Sequence, residues 1–334
     1  MKIKFLSVSV ILLLFALITC AQNTNNFFQL QPADKKVTNS LYNQIQLLDS
    51  RTDTTNFGIV QLGAFNKKTM VKIKKPFGEQ ISDAIGFMAD STAKNGKLIL
   101  NVRHFFFAEV TGAMSEKGYC YFKGDLYAQE SNGYYKLAYI DTVSVIAAMD
   151  VTKALLKNSS NIINGFISNN LTTPPNKQEY YSFADLMRID SIEKSRTKLY
   201  TTQTLNDGIY QSFSAFSNQE PNITEFETTY NNTGALIKVN ENGKKQVISP
   251  KTIYAVVKNG KPFIATNYGY FEAQKKGNDF YFQGRSKVSA NSSGVITASI
   301  FFGVVGGLIA SNQTEVTELK IDHLTGEFIR TTIK

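Results

Sequence analysis

Tryptophan is absent from this 334-residue chain, and histidine and cysteine occur twice each. Without tryptophan, any stacking of sugar rings, as in a glycosidase cleft, falls to tyrosine and phenylalanine. His104 and His323 have no second ligand type near them in sequence, and neither HExxH nor a paired CxxC occurs, which excludes the local zinc motifs. His104 sits in the strand-like run Arg103-His104-Phe105-Phe106-Phe107 and is expected to be held within a sheet. His323 precedes the turn Leu324-Thr325-Gly326 and is expected to face solvent. If Cys20 is removed or lipidated, Cys120 stands alone and no internal disulfide can form. Cys120, in Tyr119-Cys120-Tyr121-Phe122, reads as a buried structural thiol.

The common catalytic fingerprints are missing as well. There is no GxSxG elbow, no GxxxxGK(S/T) phosphate loop and no dinucleotide fingerprint opening a helix. Glu109, Asp125, Asp141 and Glu272 are scattered along the chain and are expected to be solvated surface carboxylates. The sequence therefore points to no catalytic residue, no metal ligand set and no cofactor.

What is present begins at the N-terminus. Lys2 and Lys4 precede the apolar run Phe5–Ile18, and Thr19-Cys20-Ala21 supplies small residues before Gln22. This order is that of a secretory signal, residues 1–21. Cleavage after Ala21 is the favoured ending. The alternative is lipidation of Cys20, because Leu17-Ile18-Thr19-Cys20 resembles the bacterial lipobox, with Thr19 as a departure. The apolar run is shorter than the ~20 residues a spanning helix needs. The expected location is the periplasm or outer membrane.

The formal charge is +9, of which Lys2 and Lys4 supply two. A mildly basic exported chain suits anionic surfaces, and its charge is too dispersed to argue for nucleic acid. With 43% hydrophobic and 19% charged residues the chain can bury a core and is not disordered.

The pattern predicts an α+β fold in two domains. Residues 22–36 read as a polar tether. Residues 37–171 read as an antiparallel sheet packed by helices: a helix over Val37–Leu48 and strands at Phe57–Phe65 and Thr69–Ile73. A helix through Ile81, Ala84, Ile85 and Met88 follows, then long strands Lys97–Val110, Gly118–Gln129 and Tyr134–Val145, and a helix from Asp150 to about Leu171. Residues 172–206 hold the linker Thr172–Asn176 and a bridging helix from Ser182 to about Arg196. Residues 207–334 read as a mainly-β sandwich or barrel of short strands, with turn signals about ten residues apart.

Two stretches carry candidate interaction surfaces. The uncharged run 294–310 contains Phe301, Phe302, Gly303, Gly306, Gly307 and Leu308. It reads as a segment buried by its own domain or, if exposed, as a contact surface for protein or lipid. The lysines Lys67, Lys68, Lys72, Lys74 and Lys75 read as a charge-protected edge strand, with contact to an anionic surface as the alternative.

The block Leu98-Ile99-Leu100-Asn101-Val102-Arg103-His104-Phe105 through Phe122-Lys123-Gly124-Asp125-Leu126-Tyr127, with the helix from Asp150, resembles the auxiliary envelope lipoproteins of ABC-type transporters. That resemblance covers residues 37–171 and implies work by protein contact; the second domain and Thr19 depart from it. Asp207-Gly208-Ile209-Tyr210 with Phe213 and Phe216, the Gly-rich run and Leu324-Thr325-Gly326-Glu327-Phe328 resemble uncharacterised secreted proteins of gram-negative bacteria. The expectation is an exported, non-enzymatic accessory or binding subunit with an envelope protein partner and a membrane surface within reach. The alternatives are a hydrolase of envelope carbohydrate or lipid with a carboxylate pair, and a lipid-binding module.

Overall fold

A computed structural model describes residues 26–51, 53–63, 66–111, 116–148, 151–176, 179–231, 234–241, 243–287 and 314–330. Cys20, Asp150 and the run 294–310 lie outside the described residues. The fold is mixed α/β with strands predominating. The chain divides into two compact units: residues up to Leu126 with Ala138–Pro174, and Tyr127–Leu137 with the residues from Pro175 onward.

The first unit runs β1 (Phe27–Phe28), β2 (Tyr42–Asp49), β3 (Gly58–Leu62), β4 (Lys67–Met70), β5 (Lys72–Ile73), α1 (Phe77–Met88), β6 (Gly96–Thr111), β7 (Glu116–Glu130), β8 (Gly133–Ala148) and α2 (Val151–Ser168). The ends of β7 and β8 count in the second unit. The sheet order is β4-β3-β6-β7-β8, with β2 also on β6. β2 pairs in parallel with the first half of β6, and β3 pairs in parallel with Phe107 and Ala108 further along. One edge of this 16-residue strand thus serves two partners. The expected antiparallel sheet is corrected to a mixed one. The chain passes through α1 before entering β6, a crossover long enough for parallel pairing.

Two further expectations are overturned here. The segment Val37–Leu48 is not a helix: Val37 bridges to Ala89, and Tyr42–Asp49 is strand β2. A register irregularity between Tyr42 and Gln44 shifts the strand's phase, so buried Tyr42 and Ile45 fall three apart, as they would on a helix. Residues 26–36 are not a free tether. Phe28 is fully buried, β1 pairs in parallel with β5, and the Leu30 N–H donates to Gln80 Oε1 at 2.7 Å. The Gln31 N–H donates to Ser160 Oγ at 2.7 Å, which ties the same segment to α2.

Phe28 joins Phe57, Phe77, Phe105 and Phe107 in an aromatic core. Phe28 and Phe105 are 4.9 Å apart edge-on, and Phe77 and Phe105 are 5.2 Å apart and stacked. α1 buries Phe77, Ile81, Ala84, Ile85 and Met88, the helical spacing read in the sequence. α2 buries Leu155, Ile163, Phe166 and Ile167, and Phe166 meets Phe122 of β7 edge-on at 6.3 Å.

The second unit contains β9 (Tyr180–Tyr181), α3 (Phe183–Met187), α4 (Ile189–Ser195), α5 (Lys198–Thr201), β10 (Gly208–Tyr210) and α6 (Phe213–Ser217). Strands β11 (Glu227–Asn231), β12 (Gly234–Glu241), β13 (Lys244–Ile248), β14 (Ala255–Lys258), β15 (Lys261–Thr266), β16 (Gly269–Lys276), β17 (Asp279–Lys287), β18 (Thr314–Ile321) and β19 (Phe328–Arg330) follow. β10-β14-β15-β16-β17-β18-β19 form one sheet and β11-β12-β13 another, with antiparallel pairings throughout. The expected bridging helix is split into α3 and α4 at Arg188.

Side-chain alternation puts the larger sheet's residues into two cores. Ala255 and Val257 of β14 pack with Tyr210, Phe216, Ile264, Phe280 and Leu199 of α5. Val256 points the other way and joins Ile209, Ala265 and Ile237 of β12. A sheet covered on both faces explains why β14 reads as a continuous apolar run rather than alternating.

Candidate functional site

α4 places Asp190 and Glu193 three residues apart, on one helical face, followed by Lys194. More than a hundred residues later β18 ends at Ile321 and the chain turns. The turn is closed by Asp322 N–H to the Glu327 carbonyl at 2.7 Å and by Gly326 N–H to the Asp322 carbonyl at 2.9 Å. Asp322 Oδ1 accepts from the backbone N–H of Leu324 and Thr325 at 2.9 and 3.0 Å, an Asx turn. Gly326 has φ +75°, and a Cβ there would lie 2.1 Å from Phe213 Cγ, so the turn requires glycine.

This turn fixes His323 with its Nε2 2.8 Å from Glu193 Oε2. Donor atoms of Asp190, Glu193 and His323 all lie within 4.8 Å of one another. His323 is 7% exposed, which corrects the expectation that it is solvated. Tyr200 of α5 meets the His323 ring edge-on, with centroids 6.4 Å apart. Its hydroxyl is buried and makes no hydrogen bond within the described residues. Burial pushes the Tyr200 phenol well above its ordinary pKa, and the carboxylates of Asp279, Asp322 and Asp190 add to the effect.

Asp279, opening β17, takes Lys194 Nζ at 2.7 Å and Lys320 Nζ at 3.0 Å. Burial raises the Asp279 carboxyl, but the two ammonium groups outweigh it and hold the pKa below the ordinary value. Tyr200 and Lys194 also line a hollow of about 200 Å³ with Ser191, Ser195, Lys275 and Asn278.

The carboxylates expected to be solvated divide. Glu272 is exposed. Glu109 is buried and accepts from the Gln61 N–H at 2.6 Å. Asp125 is fully buried against Arg103 Nε at 2.7 Å, and Asp141 takes the buried Lys123 at 3.2 Å. The long strands β6 and β7 are covered for most of their length, so polar residues along them are enclosed, and Arg103, Lys123 and Asp125 are each paired there with an opposite charge. His104 lies on β6 with its ring stacked on Tyr121 at 5.1 Å.

The lysines mark one border of the first unit. β4 is the outer strand of its sheet, with Lys67 and Lys68 exposed on it. Lys72 and Lys74 are exposed on and beside β5, and Lys74 Nζ sits 5.4 Å from the centre of the exposed Phe27 ring. Lys75 is paired with Asp83 and, at 3.8 Å, with Glu79. Phe301, Phe302, Gly303, Gly306, Gly307 and Leu308, like Cys20, lie outside the described residues.

A surface that the sequence reading missed lies at β9 and α3. Tyr180 is 61% exposed, Phe183 43% and Met187 63%. Tyr134 of β8 lies 6.0 Å from Phe183, and Tyr135 lies 6.1 Å from Tyr180. The available signal was the spacing of Tyr180, Phe183 and Met187, which leaves Tyr181 and Leu186 to face inward.

No protein-family model matches this chain, and no curated protein is significantly similar to it. Among solved structures, the chain is similar to a DUF330 protein from Xanthomonas campestris, at 12% identity and a TM-score of 0.26. The match covers 43% of this chain and 92% of that one.

Proposed function

We propose that this chain is an exported envelope protein that works by binding a protein partner through the aromatic surface at β9 and α3. The observation that carries the reading is the exposure of Tyr180, Phe183 and Met187 together. Aromatic side chains and methionine are enriched at protein interfaces, where burial of rigid rings gives binding energy at low entropic cost. β9 is the terminal strand of its sheet among the described residues, a position suited to pairing with a partner's strand. The N-terminal signal supplies the address.

The test is crosslinking of the tagged protein in intact envelopes, followed by purification in detergent and mass spectrometry. A stoichiometric partner is expected, and it is lost in the triple variant Tyr180→Ala, Phe183→Ser, Met187→Ala with the thermal midpoint unchanged. A clean monomer, or a partner retained by the triple variant, would refute the reading.

A second reading has its own observation. Exposed Lys67, Lys68, Lys72 and Lys74 stand beside exposed Phe27 and Met70 in the first unit, a mixed basic and apolar border suited to anionic headgroups. Each lysine contributes about 1 kcal/mol near such a surface. Flotation with phosphatidylglycerol vesicles tests it: exchanging these four lysines for glutamine abolishes co-flotation, whereas unchanged flotation rules it out.

A further inference from the structure

We infer that Asp190, Glu193 and His323 form a binding site for a divalent metal ion of the zinc class. The inference is independent of the partner-binding reading, since it rests on other residues.

Three donors from two distant stretches of chain converge within 4.8 Å, and two of them already touch at 2.8 Å. One imidazole nitrogen and two carboxylate oxygens, with no thiolate, form a borderline-to-hard set that suits Zn²⁺ or Mn²⁺. Three protein ligands leave a fourth tetrahedral position open. α4 supplies two ligands at i and i+3, and the Asx turn holds the third rigidly, so the set is pre-organised.

Tyr200 is the independent sign of a ligand. It is 8% exposed, its ring lies edge-on to His323, and its hydroxyl has no hydrogen-bond partner among the described residues. A buried hydroxyl left unpaired costs about 1–3 kcal/mol, so an orphan here calls for a partner. Water carried by a bound cation is a partner of that kind. The ammonium groups of Lys194 and Lys320 are drawn onto Asp279, a carboxylate outside the ligand set.

The experiment uses the mature full-length protein with a tag free of histidine, stripped with chelator and dialysed against Zn²⁺ or Mn²⁺. Bound metal is measured by plasma mass spectrometry, and affinity by competition with a chromophoric indicator. One Zn²⁺ per chain is expected, together with a rise in the thermal midpoint. Asp190→Asn, Glu193→Gln and His323→Ala are each expected to weaken binding roughly tenfold or more. His104→Gln, at the other histidine, leaves binding unchanged. Midpoints of the metal-free variants identify any that fail to fold. Should His323→Ala do so, Asp190→Asn, at a partly exposed position, decides the matter. Absence of saturable 1:1 binding would overturn the inference and leave His323 and Glu193 as a plain hydrogen-bonded pair. Binding retained in folded ligand variants, or lost in His104→Gln instead, would overturn it as well.

Discussion

Cys120 lies fully buried on β7, where burial pushes its thiol up to about 12 and a hydrogen bond with Ser159 offsets only part of the rise. Because the thiolate is the reactive form, Ellman's reagent at pH 8 should leave Cys120 unmodified in the folded mature protein and modify it fully in denaturant. Fast modification of the native protein would contradict this placement. Asp125 makes the opposite point about residues. In sequence it is one carboxylate among many; in the fold it is enclosed and neutralises Arg103 at 2.7 Å. Replacing it by alanine leaves a buried guanidinium without that partner and should cost about 3–5 kcal/mol in urea unfolding. A loss below 1 kcal/mol would show that water reaches the pair. The inward placement of Cys120 was legible, because an apolar run on a strand has few other options. The burial of Asp125 and His323 was not, since a charged or polar residue is enclosed only by partners distant in sequence.

At the scale of elements, periodic helices and turn-bounded strands were readable, and irregularities were not. α1 and the strands from β14 to β18 follow their apolar spacing. The segment with β2 imitated a helix because Val37, Leu41, Ile45 and Leu48 fall three or four apart, although only Ile45 of them is buried, and the bridging helix broke into α3 and α4. Gly58 shows how tightly β3 meets β6: its φ is +98° and a Cβ would lie 2.0 Å from the Phe107 carbonyl oxygen. Gly58→Ala should therefore destabilise the protein, by more than the ~1 kcal/mol that an unstrained Gly→Ala replacement gains, read as a lowered urea midpoint. α3 opens with a reciprocal box in which Ser182 and Asp185 cap each other's backbone N–H groups. Arg188, then Ser182, hold the Asp185 carboxyl down to about 2. A depressed carboxylate pKa contributes stability that is full above its unfolded value of ~3.9 and is lost as pH falls through the folded value. Asp185→Asn should flatten the thermal midpoint's dependence on pH between about 4 and 2. An unaltered slope would show that the cap carries no charge effect.

For the whole molecule, the N-terminal signal pattern and the described fold belong to different parts of the chain. The signal reading predicts that the exported protein begins at Gln22, as intact-mass measurement can establish; a diacylglyceryl-modified Cys20 would show lipidation instead. Composition and periodicity by themselves determined a strand-rich α/β fold, because burial of apolar stripes is encoded by local spacing. The N-terminal signal pattern is linear, so reading it needs no fold. Only the tertiary structure decided that residues 26–36 dock as β1, that β6 serves two parallel partners, and that His323 meets Glu193. It also decided that Tyr180, Phe183 and Met187 stay uncovered. Each of these depends on contacts between segments far apart in sequence, and such contacts leave no local pattern to read.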